Sequence, residues 1–403
     1  MSSTEPNSFL LSDDSINIPN QQERKTEKFL FFLLGNAALL IYNIVINAVD
    51  IFNDITNRTD MGTILNRAYN FPCSFIALIL CFIKPKNLKI SLIIGLIILG
   101  LLMCILPIFI LCNVSSKLMY WAAVLITGIS AVLSSLVSSS AFSLAAQTDS
   151  ECTTAVSSGN GCCGVIAAGL RIITKAAFSS KKQLIISSAA YFYLTALILF
   201  FTLVYFIRAS RIPSLENKMI SKEDETFSCN TSIIQTIKVI WVEWLSVFFC
   251  FLVTLSIFPG YILTNVKEAK KIGDWTSVII TAIFCIFDWV GRYLPAKIQY
   301  PSIRYAWIPN VLRVLFILIF ILSIQQIVDL GDPYWTFLWD IPFALTNGYF
   351  GTLSLLYGSN NEQLLESERG LAGFLMSFSI NAGIIVAMFL TFAFDKLPQK
   401  KFT

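Results

Sequence analysis

Apolar residues run along this chain in eleven stretches, separated by short polar breaks. They cover 29–49, 64–83, 88–112, 118–141, 155–178, 186–207, 236–263, 276–295, 303–326, 334–357 and 371–394. A helix rises about 1.5 Å per residue, so about 20 apolar residues cross the hydrocarbon core of a bilayer. The pattern predicts an all-α polytopic membrane protein with eleven transmembrane helices. The stretches beginning at 118 and 155 are rich in small residues, as in Ser134–Ser135, Ser138–Ser140 and Ser157–Gly164. Small residues let helices approach closely, and their hydroxyls can line a polar cavity. Both readings stay open.

Polar segments divide the chain. Residues 1–28 are rich in Ser, Asn, Asp and Glu with no apolar h-region, which predicts a disordered cytoplasmic tail rather than a secretory signal. Arg24, Lys25 and Lys28 precede the first span and favour a cytoplasmic N-terminus by the positive-inside rule. The longest hydrophilic interruption, 208–235, is expected to be a central cytoplasmic loop between a six-helix bundle (29–207) and a five-helix bundle (236–394). Such a division is familiar in carriers that rock between two open states. An odd number of spans puts 395–403 outside, as a short extracellular tail. Lys396, Lys400, Lys401, Lys267, Lys270 and Lys271 then also fall outside, so the charge bias for this orientation is small. The sequons at Asn57 and Asn113 fall outside and predict a glycoprotein, whereas a third at Asn230 falls inside.

Composition sharpens this picture. Of 403 residues, 56% are apolar and only 13% charged, with 33 Phe and a mean hydropathy of +0.71. Average soluble domains carry about 25% charged residues, so the composition argues against a water-soluble enzyme and for a polytopic membrane protein. The chain has no histidine. That removes Ser-His-Asp and Cys-His catalysis, HExxH zinc sites and histidine haem ligation. No cofactor or metal is expected. A net charge of +4 is too small and dispersed for nucleic-acid binding. The ten cysteines form no CxxC pair and mostly lie in apolar runs, where Cys acts as a small hydrophobe.

Charges within the spans are costly, and each is a functional hypothesis. The clearest are Asp288 and Arg292 in Phe287-Asp288-Trp289-Val290-Gly291-Arg292. Four residues apart, they share one helix face and can pair. Together they offer acceptors and donors to a ligand; alternatively they form a buried structural ion pair. Arg313 reads as a structural tether, while Arg67 and Arg171 can snorkel to an interface. Polar or helix-breaking residues interrupt other spans at Tyr42-Asn43, Phe258-Pro259-Gly260 and Thr346-Asn347-Gly348-Tyr349. Such interruptions are tolerated against protein or water-filled space.

Taken in order, these residues resemble the equilibrative nucleoside transporter family. Leu33-Leu34-Gly35 through Tyr42-Asn43 looks like its first helix, where Trp-Asn is usual. Ser158-Gly159-Asn160-Gly161 resembles its fifth-helix Ser-Gly-Gln-Gly. Phe258-Pro259-Gly260 is similar to its seventh-helix ending, and Asp288-Trp289-x-Gly291-Arg292 to its eighth-helix signature. Arg313, Asn347-Gly348-Tyr349 and Ala372-Gly373-Phe374 complete the series. The resemblance implies a major-facilitator-like fold of six plus five helices. It implies facilitated, alternating-access transport of nucleosides and sometimes nucleobases; the cargo expected for this chain is a purine nucleoside. It assigns substrate contacts to Asp288, Arg292 and Tyr42, the last by stacking on the base. The gapless match puts Ser138 where the family has a fourth-helix Gln and Cys285 where it has an eighth-helix Asn. Both shorten polar reach, and a site that loses hydrogen-bonding groups changes its choice of substrate. Ile384 is placed with these contacts, and an outer gate with Ile46, Phe258 and Pro259. The expected partners are the small-molecule substrate and the lipid bilayer, with no nucleic acid, for a monomer in the plasma membrane.

Other functions compete. A carrier of the same fold could couple to protons, with Asp288 as the proton site, or move organic cations. A channel or receptor would show pore-lining repeats or a large extracellular domain, and neither is visible. A membrane-embedded aspartyl enzyme would need two intramembrane acids.

Overall fold

The structure, a computed structural model, describes residues 21–395 except 113, 178–180, 220–228, 267–271, 274 and 325–332. The described residues are almost wholly helical. The helices are α1 (Gln21–Asn47), α2 (Val49–Thr56), α3 (Met61–Phe82), α4 (Leu88–Leu111) and α5 (Ser116–Ala146). Then come α6 (Ser150–Ala177), α7 (Lys181–Ala209), α8 (Pro213–Met219), α9 (Cys229–Ile257) and α10 (Gly260–Asn265). The last are α11 (Trp275–Tyr293), α12 (Trp307–Leu312), α13 (Val314–Ile324), α14 (Tyr334–Ser359) and α15 (Glu366–Asp395).

Each of the eleven apolar stretches is a helix or a broken pair of helices. The seventh breaks at Pro259 into α9 and α10, and the ninth breaks at Arg313 into α12 and α13. Among the described residues, ten spans are long and apolar enough to cross a membrane, and the chain is an integral multi-pass membrane protein. The tenth stretch, α14, is long enough but more polar, because Asp340, Thr346, Asn347 and Thr352 lie along it. It is packed against α9, α11 and α6, which bury Asp340, Asn347 and Thr352, while Tyr334 and Leu338 stay exposed.

Hydropathy, not amphipathicity, marks these helices. On α4, Leu92, Leu96, Leu99, Met103 and Leu106 are buried, while Ile90, Ile94, Leu101, Ile105 and Ile108 are exposed. Both faces are apolar because one meets protein and the other lipid.

Two departures from the expected boundaries appear. The tail expected over 1–28 is helical from Gln21, and Glu27 is buried, accepting a hydrogen bond from Ser214 of α8. The loop expected over 208–235 holds α8 and the first turns of α9. Ser214 and Glu216 of α8 brace α1 and α4 through Glu27 and Lys89, contacts that a hydropathy reading does not register. Residues 1–20 and 396–403, the sequon Asn113, and Lys267, Lys270 and Lys271 lie outside the described residues, as do the side chains of the Asn230 sequon.

Glycines set the closest crossings. A Cβ on Gly35 would stand 2.0 Å from the Val156 carbonyl oxygen, and one on Gly159 would stand 2.0 Å from that of Phe32. These two contacts press α1 and α6 together backbone to backbone. Gly291 and Gly348 do the same for α11 and α14, at 2.3 Å from the Leu345 oxygen and 2.0 Å from the Asp288 oxygen. The first six spans meet the last five where α6 packs on α11 and where α5 and α3 pack on α15.

Candidate functional site

Asp288 and Arg292 lie one turn apart on α11, 6% and 7% exposed. Arg292 Nε donates to Asp288 Oδ2 at 2.7 Å. The Asn347 amide of α14 donates to Asp288 Oδ1, also at 2.7 Å. Both carboxylate oxygens are therefore satisfied, as a buried charge requires. Arg292 also reaches across to α6. Its Nη1 lies 3.4 Å from Ser157 Oγ, and its guanidinium sits 5.6 Å from the Phe251 ring centroid. A Cβ on Gly161 would meet Arg292 Cδ at 2.7 Å, so this glycine gives the arginine its room.

The pair continues into a wider polar network. Asn347 Oδ1 accepts from the Thr254 hydroxyl at 2.6 Å. Arg313, 2% exposed at the α12–α13 break, donates to Thr254 Oγ1 at 2.6 Å and to the Phe343 carbonyl at 3.0 Å. It also bonds the Thr346 hydroxyl. Arg313 thus ties α14 to α9.

Above this network lies a cavity of about 510 Å³ between the two sets of spans. On one side it is walled by Tyr42, Ile46, Asn66 and Asn70 from α1 and α3. Opposite stand Leu255, Phe258, Pro259, Ile384 and Met388 from α9, its proline break and α15. Val49, Gly62 and Thr264 also line it, so it lies toward the end of the molecule where α1 and α9 finish. The Tyr42 hydroxyl donates to Asn66 Oδ1 at 2.9 Å, and its ring packs 4.7 Å from Tyr69. Phe258 stacks on Phe284 with centroids 3.9 Å apart. Phe284 is one turn before Asp288 on the same face of α11, so the charged pair sits one layer beneath the cavity.

The opposite end is closed by hydroxyls and amides bridging the two sets of spans. Ser157 and Thr352 are 2.6 Å apart, Ser139 and Ser377 are 3.1 Å apart, and Asn360 reaches Thr153 at 3.5 Å.

Tyr42, Ile46, Phe258, Pro259 and Ile384 therefore line one cavity. Asp288 and Arg292 are not on its wall; they are linked to it through Phe284, which stacks on the lining residue Phe258. Cys285 is not on its wall; it packs against α6, where a Cβ on Gly164 would come 3.1 Å from its sulfur. Ser138 is half-buried on α5 and also away from the wall, because α5 is drawn onto α15 there by Ser139 and Ser377. Sequence reasoning missed Asn66, Asn70, Thr254 and Ser157. The signal for Asn66 and Asn70 was two amides four residues apart inside an apolar stretch.

A family model described as nucleoside transporter matches residues 213–396. Equilibrative nucleoside transporter 4 of Danio rerio is 31% identical over 159 residues, covering 39% of this chain and 30% of that protein. Equilibrative nucleoside transporter 1 of Rattus norvegicus is 31% identical over 175 residues, covering 40% and 38%. These two matches thus span less than half the length of the relatives concerned. Equilibrative nucleotide transporter 1 of Arabidopsis thaliana is 24% identical over 385 residues, covering 90% of this chain and 82% of that one. Among solved structures, the major facilitator superfamily transporter FucP in its outward conformation superposes with a TM-score of 0.60 at 13% identity, covering 92% of this chain and 95% of that one. The proton:xylose symporter XylE gives 0.60 at 11%, covering 92% and 87%. At such identities the likeness establishes the fold alone, which is that of the major facilitator transporters.

Proposed function

We propose that this chain, whose residues 213–396 match the nucleoside transporter family model, carries nucleosides across a membrane by facilitated, alternating-access transport. The observation that carries this reading is the cavity walled by both sets of spans, whose lining residue Phe258 stacks on Phe284, one turn from the buried Asp288–Arg292 pair. A passive carrier needs a site that both halves share, reached from one side while the other is shut. The cavity and the hydroxyl-bridged end opposite it fit that need.

In this reading Tyr42 stacks on the base, a contact worth about 1–3 kcal/mol where aromatic side chains meet nucleobases. Asp288 and Arg292 take the polar edges of the nucleoside as it descends, and Ile384 packs beside it. Ser138 and Cys285 come into reach as the halves rock. Ile46, Phe258 and Pro259 form the gate at the cavity mouth. The halves are 29–207 and 236–394, joined by 208–235. The N-terminus is cytoplasmic, the cavity faces outward, and the protein works as a monomer in the plasma membrane. Purine nucleosides are the preferred cargo.

Uptake of tritiated adenosine or inosine in a host lacking its own carriers tests this. Saturable uptake that runs down the gradient in either direction is expected. Absence of uptake of any nucleoside or nucleobase, with the protein confirmed at the surface, would overturn it.

A further inference from the structure

Two amides on α3 form a fixed hydrogen-bonding edge on the cavity wall. Asn66 and Asn70 are one turn apart and both line the cavity. Asn70, 6% exposed, donates through Nδ2 to the Asn66 backbone carbonyl at 2.9 Å and to Asn66 Oδ1 at 2.6 Å. The Tyr42 hydroxyl donates to the same Oδ1 at 2.9 Å. An amide oxygen has two lone pairs, and here both are used. The two side chains are therefore locked, with one donor group and one acceptor left over. Asn66 Nδ2 and Asn70 Oδ1 have no protein partner among the described residues.

The wall opposite is mainly apolar, formed by Leu255, Phe258, Ile384 and Met388, and the hydroxyl of its Thr391 is directed to backbone carbonyls of α9 and α15. It can pack on the face of a ring, and Thr264 adds a single hydroxyl rather than a fixed donor–acceptor pair for its edge. Ribose hydroxyls both donate and accept, so they need no fixed order of partners. A base edge does need one. We propose that Asn66 and Asn70 read the edge of a purine at ring N1 and C6, so that a donor–acceptor pair at those positions decides which nucleosides this chain prefers. With adenosine, the exocyclic amine donates to Asn70 Oδ1 and ring N1 accepts from Asn66 Nδ2. With inosine, the C6 oxygen accepts from Asn66 Nδ2 and the N1 proton goes to Asn70 Oδ1. This assignment rests on the nucleoside-carrier reading above.

Purine riboside is adenosine with hydrogen in place of the exocyclic amine. It would leave Asn70 Oδ1 facing a C–H group, and an unpaired polar group in a substrate-filled site lowers affinity by about tenfold or more. The experiment uses the full chain in proteoliposomes and measures inhibition of tritiated adenosine uptake by unlabelled adenosine and by purine riboside. Purine riboside should inhibit at least about tenfold more weakly. Asn70→Leu, checked for an unchanged melting profile, should bring adenosine down to the level of purine riboside. The wild-type comparison stands on its own if that variant does not fold. Equal inhibition by the two compounds in the wild type would overturn the amide-edge assignment while leaving the carrier reading intact. Failure to take up any nucleoside would overturn both.

Discussion

Asn347 on α14 donates its side-chain amide to Asp288 on α11 at 2.7 Å, filling the one carboxylate oxygen that Arg292 does not. The same amide oxygen takes the Thr254 hydroxyl, so one residue joins the charged pair to α9. Replacing it by Asn347→Leu leaves a buried carboxylate oxygen without a partner. That costs about 1–3 kcal/mol for a neutral group and more for a charged one. The variant should melt at a lower temperature in detergent and lose at least about tenfold in nucleoside uptake. Unchanged melting and unchanged uptake would show that Asp288 does not depend on this contact.

The ion pair can be structural, functional or both, and a double variant separates the cases. Arg292→Ala alone strands Asp288 in a buried site, which costs about 3–5 kcal/mol. Uptake should vanish, but that result does not distinguish the cases. Asp288→Asn combined with Arg292→Gln removes both charges and keeps hydrogen-bonding groups. Its melting temperature should return toward that of the wild type while uptake stays absent. Recovery of uptake along with stability would mean that the pair only holds α11 in place.

Gly348 stands where no side chain fits. A Cβ there would lie 2.0 Å from the Asp288 carbonyl oxygen and 2.8 Å from the Arg292 backbone nitrogen. Both neighbours are backbone, so relief requires parting α14 from α11 directly beside the charged pair. Overpacking costs about 1–3 kcal/mol where side chains can adjust, and here they cannot. Gly348→Ala should lower the yield of monodisperse protein sharply. Gly169, with nothing within 4 Å of a built Cβ, is the control, and Gly169→Ala should be tolerated. Equal behaviour of the two variants in size-exclusion profiles would contradict the packing account.

Asn57 tests which end of the molecule faces outward. It closes α2 with φ 55°, a backbone setting that Asn tolerates well. It lies in the short connection to α3, at the end where α1 finishes and the cavity lies. A glycan on Asn57 should shift the protein on a gel and disappear in Asn57→Gln. Accessibility of this connection only from the cytoplasmic side would invert the proposed orientation.

The spans were legible in the sequence because lipid and protein both select apolar side chains, leaving long unbroken runs. Even the more polar α14 stood out, since Tyr, Trp and Phe dominate its first turns. The pairing of helices was not legible. Nothing local says that Gly291 will meet Gly348, or that Asn347 will find Asp288. Facing was hardest in the serine run on α5. Successive helical residues point about 100° apart. Choosing between Ser138 and Ser139 therefore decides whether a hydroxyl points to the α15 contact or away from it. The structure turns Ser139 to Ser377 and leaves Ser138 half-buried beside it. Asn66 and Asn70 were visible as letters, but their role depends on Tyr42 arriving from another helix.

The Ser139–Ser377 contact offers the most direct test of alternating access. Their hydroxyl oxygens are 3.1 Å apart, on α5 and α15, at the end away from the cavity. This spacing is short enough for a pair of cysteines at the two positions to approach disulfide geometry. Ser139→Cys with Ser377→Cys should cross-link under mild oxidant and tie the two halves together on the closed side. Transport requires that side to open, so uptake should stop on oxidation and recover with a thiol reductant. Binding at the cavity should survive, because its own mouth is untouched. Each single cysteine variant should transport normally under oxidant. Full uptake by a protein whose cross-link is confirmed by peptide mass would mean that substrate does not leave between α5 and α15, and the rocking of the two halves would have to be abandoned.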